Sequence, residues 1–386
     1  MGLGGVTTYM AHLAKGLAKK HNVVIFDHYP YSSDYQSVHW VLDSVKIESV
    51  QNCRIIDYLV WKWNSLFKIF HSSKNYWIVW RNIYLKHIVK KHKIDVIISF
   101  DKFSDNIIVD VIGKKIPLIL SIHGSYDISE FYAIPQNEIV RYEKVFRTAS
   151  AIVYKSDCNI EILNQYRNLT NLQVVKKILH GFDANQPLID RLNIRKLASI
   201  PENALVIGMI ARGVPEKGWK EAIGAFEKLQ KEYPLIHFLA IGKSEYLDTL
   251  KSDYKKNLSI HFVGFVANNI DWINSIDIGV LPTYAQTENF TFSVVEYLFC
   301  GKPSVVSDHG EISTTLDAGN GEKAGILVPL QNGRPDLDGI YSALKRYILD
   351  DELYLYHKSL TSKALNKFSR TQAIADYEEI LFRVSN

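Results

Sequence analysis

Short apolar runs recur along the chain, each followed by a stretch in which apolar positions return every three or four residues. In the first half the runs are Val23 to Phe26, Val96 to Phe100, Pro117 to His123 and Ala151 to Tyr154. A second series begins at Leu205 to Ala211 and continues through Ile236 to Ile241, Ile260 to Val263, Ile278 to Leu281, Ser304 to Ser307 and Gly325 to Val328. Strands alternating with helical patterns build parallel sheets through right-handed crossovers, so each series predicts one α/β domain with a Rossmann-like β/α/β plan. Helices are expected from Val6 through Tyr9, Leu13 and Leu17 to Lys20, and from Trp219 to Tyr233. Three more close the chain, from about Asp336 to Leu349, Glu352 to Phe368 and Thr371 to Val384. Between the series, the polar stretch from Pro187 to Pro201 reads as a linker.

Length agrees with two domains, since 386 residues exceed what one core usually supports. At 47% hydrophobic and 22% charged the composition is that of an ordinary globular protein, and a net charge of +4 does not call for nucleic acid. Cys53, Cys158 and Cys300 show neither disulfide nor metal spacing, which fits a reducing cytoplasm. No apolar run is long enough to span a bilayer and the start is not signal-like, so the expectation is a cytoplasmic protein, soluble or attached at the inner face of a membrane.

Candidate chemistry gathers where apolar runs break into loops. After Leu205 to Ala211 come Arg212 and Lys217, two cations between a strand end and a helix start, expected as exposed loop residues that clamp a diphosphate. After Ile278 to Leu281 the loop carries Glu288, and a helix is expected to open near Ser293 with Glu296 in its first turn. A helix N-terminus suits phosphate and flanking carboxylates suit sugar hydroxyls, whereas the Ser293 to Glu296 spacing also fits a plain capping box. At the amino end, Gly2-Leu3-Gly4-Gly5 feeds a helix as a phosphate-cradling turn would, yet Thr7 stands where a dinucleotide fingerprint has its third glycine. His123-Gly124 ends the Pro117 strand at the edge where open α/β sheets bind ligands, with Asp127 four residues on as an orienting group or a turn cap. Asp336-Leu337-Asp338 is the single Asp-x-Asp and reads as a helix cap, with no metal site assigned.

Glu288 and Glu296, seven residues apart, are followed by an apolar helix, Cys300-Gly301-Lys302-Pro303, a Val-Val strand and Asp308-His309-Gly310-Glu311. This stretch resembles the donor-site signature of the retaining glycosyltransferases of family 4, and the resemblance extends over nearly the whole chain. It implies the GT-B fold: two Rossmann-like domains facing each other across a cleft, an acceptor-side domain over 1–185 and a donor domain over 186–370, with a last helix at about 371–386 packing back on the first. It further implies that Glu288 lies near the donor sugar, Glu296 holds the ribose and Asn289, Phe290, Thr291 and Phe292 line the donor loop. By the same resemblance Arg212 and Lys217 hold the diphosphate, Gly264 and Phe265 touch the base, Gly4 and Gly5 approach the diphosphate or the acceptor, and His123 is the acceptor-side histidine. Lys176 to Asp183 is similar to the interdomain connection, with Gly181 as a hinge. Three departures stand out: Asn289 and Thr291 replace usual glycines, His180-Gly181 replaces Asn-Gly, and no strand precedes the glycine loop, which leads to the expectation of residues upstream of Met1.

What the resemblance implies for function is transfer of a sugar from a nucleotide-diphosphate sugar to a saccharide or lipid-linked acceptor, in cell-surface polysaccharide or glycolipid synthesis. It implies no cofactor and no metal. A nucleotide-sugar epimerase and a non-catalytic nucleotide-sugar-binding subunit stay open as alternatives. Residues 53–92 are crowded with aromatic and basic side chains, among them Trp61, Trp77, Trp80, Lys86 and Lys90, which read equally as a contact with an anionic membrane and as helices packing on a sheet.

Overall fold

Strand Val24–Asp27 (β1) pairs in parallel with Lys46–Ser49 (β2), and a separate parallel sheet joins Ile97–Ser99 (β3), Leu118–Ile122 (β4), Ala151–Tyr154 (β5) and Val174–Lys177 (β6) in that order. The computed structural model describes residues 5–27, 45–49, 59, 62, 76–123, 136–157, 174–182, 190–266, 268–285, 288 and 291–385. Helices Gly5–Leu17 (α1), Tyr76–His92 (α2), Lys102–Val111 (α3) and Gln136–Thr148 (α4) alternate with these strands. β4 is buried at every position, as a strand covered by helices on both faces must be. Its side chains form one core with Ile107, Ile108, Tyr142, Val145 and Phe146 from α3 and α4. Asp101 caps α3 by accepting the N–H groups of Phe103 and Ser104, so the loop leaving β3 turns at once into a helix.

The second half opens with Arg191–Leu197 (α5) and contains the strands Leu205–Ile210 (β7), Ile236–Ile241 (β8), Ile260–Gly264 (β9), Ile278–Leu281 (β10), Ser304–Asp308 (β11), Asp317–Gly319 (β12), Glu322–Lys323 (β13), Gly325–Gln331 (β14) and Arg334–Pro335 (β15), most of them in one larger sheet. The sheet order is β15-β14-β11-β10-β7-β8-β9, parallel except for β15, while β12 and β13 form a small hairpin of their own. Helices Trp219–Glu232 (α6), Glu245–Asp253 (α7), Asn269–Asn274 (α8), Phe292–Phe299 (α9), Ile312–Leu316 (α10), Leu337–Leu349 (α11) and Asp351–Leu365 (α12) make the crossovers and the outer layer. In α6 the buried residues Trp219, Ala222, Ile223, Phe226 and Leu229 fall on one stripe, which is why this segment is a helix lying on a sheet. Asp336 caps α11 by accepting the Asp338 N–H.

The last helix, Arg370–Ser385 (α13), belongs with the first half. The chain divides into one unit of Met1–Gly181 with Arg370–Asn386 and another of Phe182–Ser369. Lys20 pairs with Glu378, Lys176 with both Asp376 and Glu379, and Tyr377 is fully buried. The segment read as part of an interdomain connection begins instead as β6, because Val174 and Ile178 are buried and Lys176 is ion-paired to α13.

Candidate functional site

In the second unit the chain leaves β7 toward β8 and β9 on one side, then returns to lay β10, β11 and β14 on the other. The loops after β7 and β10 therefore part company at the carboxyl edge, and such a switch point is where open α/β sheets bind ligands. After β7 a single 3-10 turn, Pro215–Lys217, leads to Gly218, the N-cap of α6, at φ 80°. A Cβ there would stand 2.1 Å from the Pro282 carbonyl oxygen, so both the dihedral and the approach of the β10 loop demand glycine. The Tyr284 N–H then donates to the Glu216 carbonyl at 2.8 Å, stitching the two loops together.

That stitch brings Lys217 and Glu288 into contact. Lys217 Nζ lies 2.5 Å from Glu288 Oε2, with side chains only 10% and 5% exposed, and Thr283 Oγ1 donates to the same oxygen at 2.6 Å. The expectation of an exposed Lys217 fails, because the 3-10 turn points its side chain under the β10 loop, where the Glu288 carboxylate compensates the burial of the ammonium. From the other side Gly310, at φ 56°, packs so closely that a Cβ would be 2.1 Å from the Glu288 carbonyl oxygen, and His309 Nε2 donates to the Ala285 carbonyl at 2.9 Å. Arg212 is exposed, while its carbonyl accepts the Trp219 indole N–H at 2.9 Å. Its backbone is fixed and its charge faces solvent.

The capping-box alternative for Ser293 and Glu296 is also set aside. α9 begins at Phe292 with Thr291 as N-cap, placing Glu296 in the second turn, and Ser293 Oγ donates to the Ile210 carbonyl at 2.6 Å. No side-chain oxygen of Thr291 reaches the first-turn N–H groups. Burial pushes the Glu296 carboxyl up to about 7, opposed by a hydrogen bond with Asn269. One residue on, the Tyr297 hydroxyl accepts the Ile210 N–H at 3.1 Å, so α9 is tied at two points to the end of β7. Gly264 ends β9 at φ 85°, and Phe265 beside it is 59% exposed, an aromatic face open to a planar ring. Gly4, Asn289, Phe290, Gly124 and Asp127 lie outside the described residues, and Gly5 opens α1.

At the carboxyl edge of the first unit, His123 Nε2 lies 2.9 Å from Ser121 Oγ, which lies 2.8 Å from the Tyr377 hydroxyl. Lys155, 1% exposed at the end of β5, donates to the hydroxyls of Tyr9 at 2.7 Å and Tyr377 at 3.3 Å. Its ammonium sits 4.2 Å from the centre of the Tyr9 ring, which also packs on His123 and His180 at 5.0 and 4.2 Å between centroids. Burial drives Lys155, His123 and His180 well below their ordinary pKa values, helped for both histidines by the Lys155 charge, and raises Tyr377 to about 12. Apart from His123, sequence reasoning assigned none of these residues to a site. The one signal was a lysine directly after the apolar run Ala151 to Tyr154.

Two family models match the chain: one described as Glycosyltransferase Family 4 over residues 3–177, the other as Glycosyl transferases group 1 over residues 204–348. A curated relative, the N,N'-diacetylbacillosaminyl-diphospho-undecaprenol alpha-1,3-N-acetylgalactosaminyltransferase of Campylobacter jejuni, is 25% identical over 262 residues, covering 63% of this chain and 67% of its own. Among solved structures, Anabaena HepE in complex with UDP-glucose superposes with a TM-score of 0.72 at 17% identity, covering 98% of this chain and 96% of that one. A glycosyltransferase from Rickettsia africae gives a TM-score of 0.75 at 15% identity, with 100% and 96% covered.

Proposed function

Since the chain belongs to the family 4 and group 1 glycosyltransferases and has their GT-B fold, we propose that it is a retaining, metal-independent hexosyltransferase whose donor site is the carboxyl edge of the second sheet. It moves a sugar from a nucleotide sugar to an acceptor. The observation that carries the donor-site reading is the buried Lys217–Glu288 pair at the β7–β10 switch point, with Arg212 exposed on the same loop as Lys217. Lys217 is neutralised by Glu288, so the charge left for a diphosphate is that of Arg212, reinforced by the N-terminal dipoles of α6 and α9. Glu288, oriented by Lys217 and Thr283, accepts donor sugar hydroxyls, Glu296 accepts those of the ribose, and the base stacks near Phe265. Negative charge on the leaving diphosphate is met by these fixed groups in the role that a metal fills elsewhere.

Isothermal titration with a nucleoside diphosphate tests this reading. Arg212→Ala is expected to weaken binding about ten- to a hundredfold, the loss of a charge-assisted hydrogen bond worth roughly 1.5–3 kcal/mol, and to leave nucleoside binding nearly unchanged. Chelator is expected to leave transfer unchanged. Equal binding by Arg212→Ala and wild type, or transfer abolished by chelator, would place the donor elsewhere.

For the acceptor, the Campylobacter relative supports a lipid-linked saccharide, because the name of that enzyme specifies a diphospho-undecaprenol substrate. One face of α2 supports membrane attachment: Val79 and Ile83 are exposed in its first half, and Lys86 and Lys90 continue the same stripe toward its end. No helix among the described residues is long and apolar enough to cross a membrane. Co-sedimentation with anionic vesicles should therefore be salt-sensitive, and should be lost in Val79→Ser/Ile83→Ser; an unchanged pellet in that variant would remove α2 from the contact.

A further inference from the structure

A lysine buried away from a carboxylate is costly, and among the described residues Lys155 is held by two tyrosine hydroxyls and two aromatic faces. Sequence places its partners far apart, at Tyr9 in α1, Ser121 in β4 and Tyr377 in α13, so the cluster exists only in the finished fold.

The chemistry of the chain of contacts is directional. While it is protonated, Lys155 has hydrogens to give and no lone pair to offer, whereas each hydroxyl gives one hydrogen and accepts others. If Lys155 donates to Tyr377, the Tyr377 hydrogen is released toward Ser121, 2.8 Å away, and the Ser121 hydrogen toward His123 Nε2, 2.9 Å away. Tyr9, which receives the shorter lysine bond at 2.7 Å, is hydrogen-bonded to Tyr377 as well, and with the Tyr9 hydroxyl as the donor of that bond the Tyr377 hydrogen is left for Ser121. The last acceptor is the imidazole, which must then carry its own hydrogen on Nδ1.

We propose that Lys155 is a positioning residue for His123, fixing it through Tyr377 and Ser121 as the neutral tautomer with its proton on Nδ1. The proposal rests on the reading of His123 as a substrate-facing residue only for its catalytic consequence; the tautomer itself is a property of the free protein. A histidine held this way offers a hydrogen-bond donor to a sugar hydroxyl or oxygen at Nδ1 and is unsuited to take up a proton at Nε2. Burial of the ring and the nearby lysine charge act in the same direction, keeping the imidazole neutral.

The direct test is nitrogen NMR of protein labelled with 15N-histidine, the His123 signals being assigned by their loss in His123→Gln. Wild type should show one neutral species, protonated on Nδ1, across the neutral pH range. Lys155→Met, which keeps the length and volume of the side chain, should give a mixture of tautomers, and Tyr377→Phe, which removes one hydroxyl and retains the lysine, should do the same. The second variant decides the matter should the first misfold. A wild-type signal protonated on Nε2, or a pure Nδ1 tautomer surviving in both variants, overturns the assignment. In a transfer assay both variants should lower kcat about tenfold with the donor KM unchanged. If the tautomer shifts and kcat does not, the wire stands and the place of His123 in the reaction falls; the two readings thus fail separately.

Discussion

Two lysines sit at the carboxyl edges of two parallel sheets, and the protein treats them oppositely. Lys217 meets Glu288 at 2.5 Å and a threonine donates to the same carboxylate oxygen, while Lys155 meets hydroxyls and ring faces. Both are buried. An ammonium facing a carboxylate makes a pair that is nearly neutral to its surroundings, and the removal of either partner strands a charge. An ammonium facing hydroxyls keeps its field, and that field reaches His123 and His180. The first arrangement orients a carboxylate for hydroxyl groups; the second sets the protonation of imidazoles. One topology therefore supports two kinds of electrostatic site, and the partner of the cation decides which.

The comparison is broken most severely by Lys217→Ala. Leaving Glu288 buried and unpaired should cost roughly 3–5 kcal/mol, seen as a large drop in the urea midpoint, and Glu288→Gln in the same background should recover part of it. A loss below about 1 kcal/mol would mean that the pair is solvated and not built in.

A smaller effect belongs to Glu296. Its carboxyl titrates at about 7 in the folded protein against an ordinary value of 4.5, so the native state holds its proton more tightly than the unfolded chain does. Stability conferred by that proton is full below the unfolded value and declines as pH rises toward 7, by up to about 3 kcal/mol. Donor affinity should move the other way, strengthening as the carboxylate forms near pH 7, and Glu296→Gln should flatten both curves. Parallel curves for wild type and variant would show that another group is titrating.

The mildest change expected is Lys155→Met. The lysine's pKa is depressed in the native state, so the unfolded chain binds the proton more tightly, and wild-type stability should rise with pH between the depressed value and the ordinary 10.5. That alkaline rise should vanish in the variant, whose stability at neutral pH should equal or exceed wild type. A variant less stable at neutral pH would mean that the hydroxyl and ring contacts outweigh desolvation.

Much of the architecture could be read from the chain because its signals are local. The runs Ala151 to Tyr154, Ile236 to Ile241 and Ile278 to Leu281 are strands over those same residues, since each is a short, mainly apolar segment, broken in the second only by His237. Arg212, Lys217 and Glu288 were visible because they stand on loops leaving such strands. Hidden from sequence were the partners that determine what those residues do. Thr283 gives no sign of donating to Glu288, and Gly310 looks like any turn glycine until the Glu288 carbonyl is found against it. β2 and β6 were missed because their lysines and glutamate break the apolar pattern, the polar groups being absorbed by His92, Lys91 and α13. Lys155, Tyr9 and Tyr377 come from three remote segments, and only packing brings them to one place.

The return of α13 to the first unit also sets the order in which the molecule can come into being on the ribosome. The β7–β10 loops and both members of the Lys217–Glu288 pair are synthesised before α13 and can close as soon as Phe182–Ser369 has emerged. Tyr377 is among the later residues to be translated, so the hydroxyl that links Lys155 to Ser121 is missing from every nascent chain that stops short of it. A polypeptide released early would carry the ion-paired edge and lack the histidine relay, which makes completion of translation a condition for assembling the second edge.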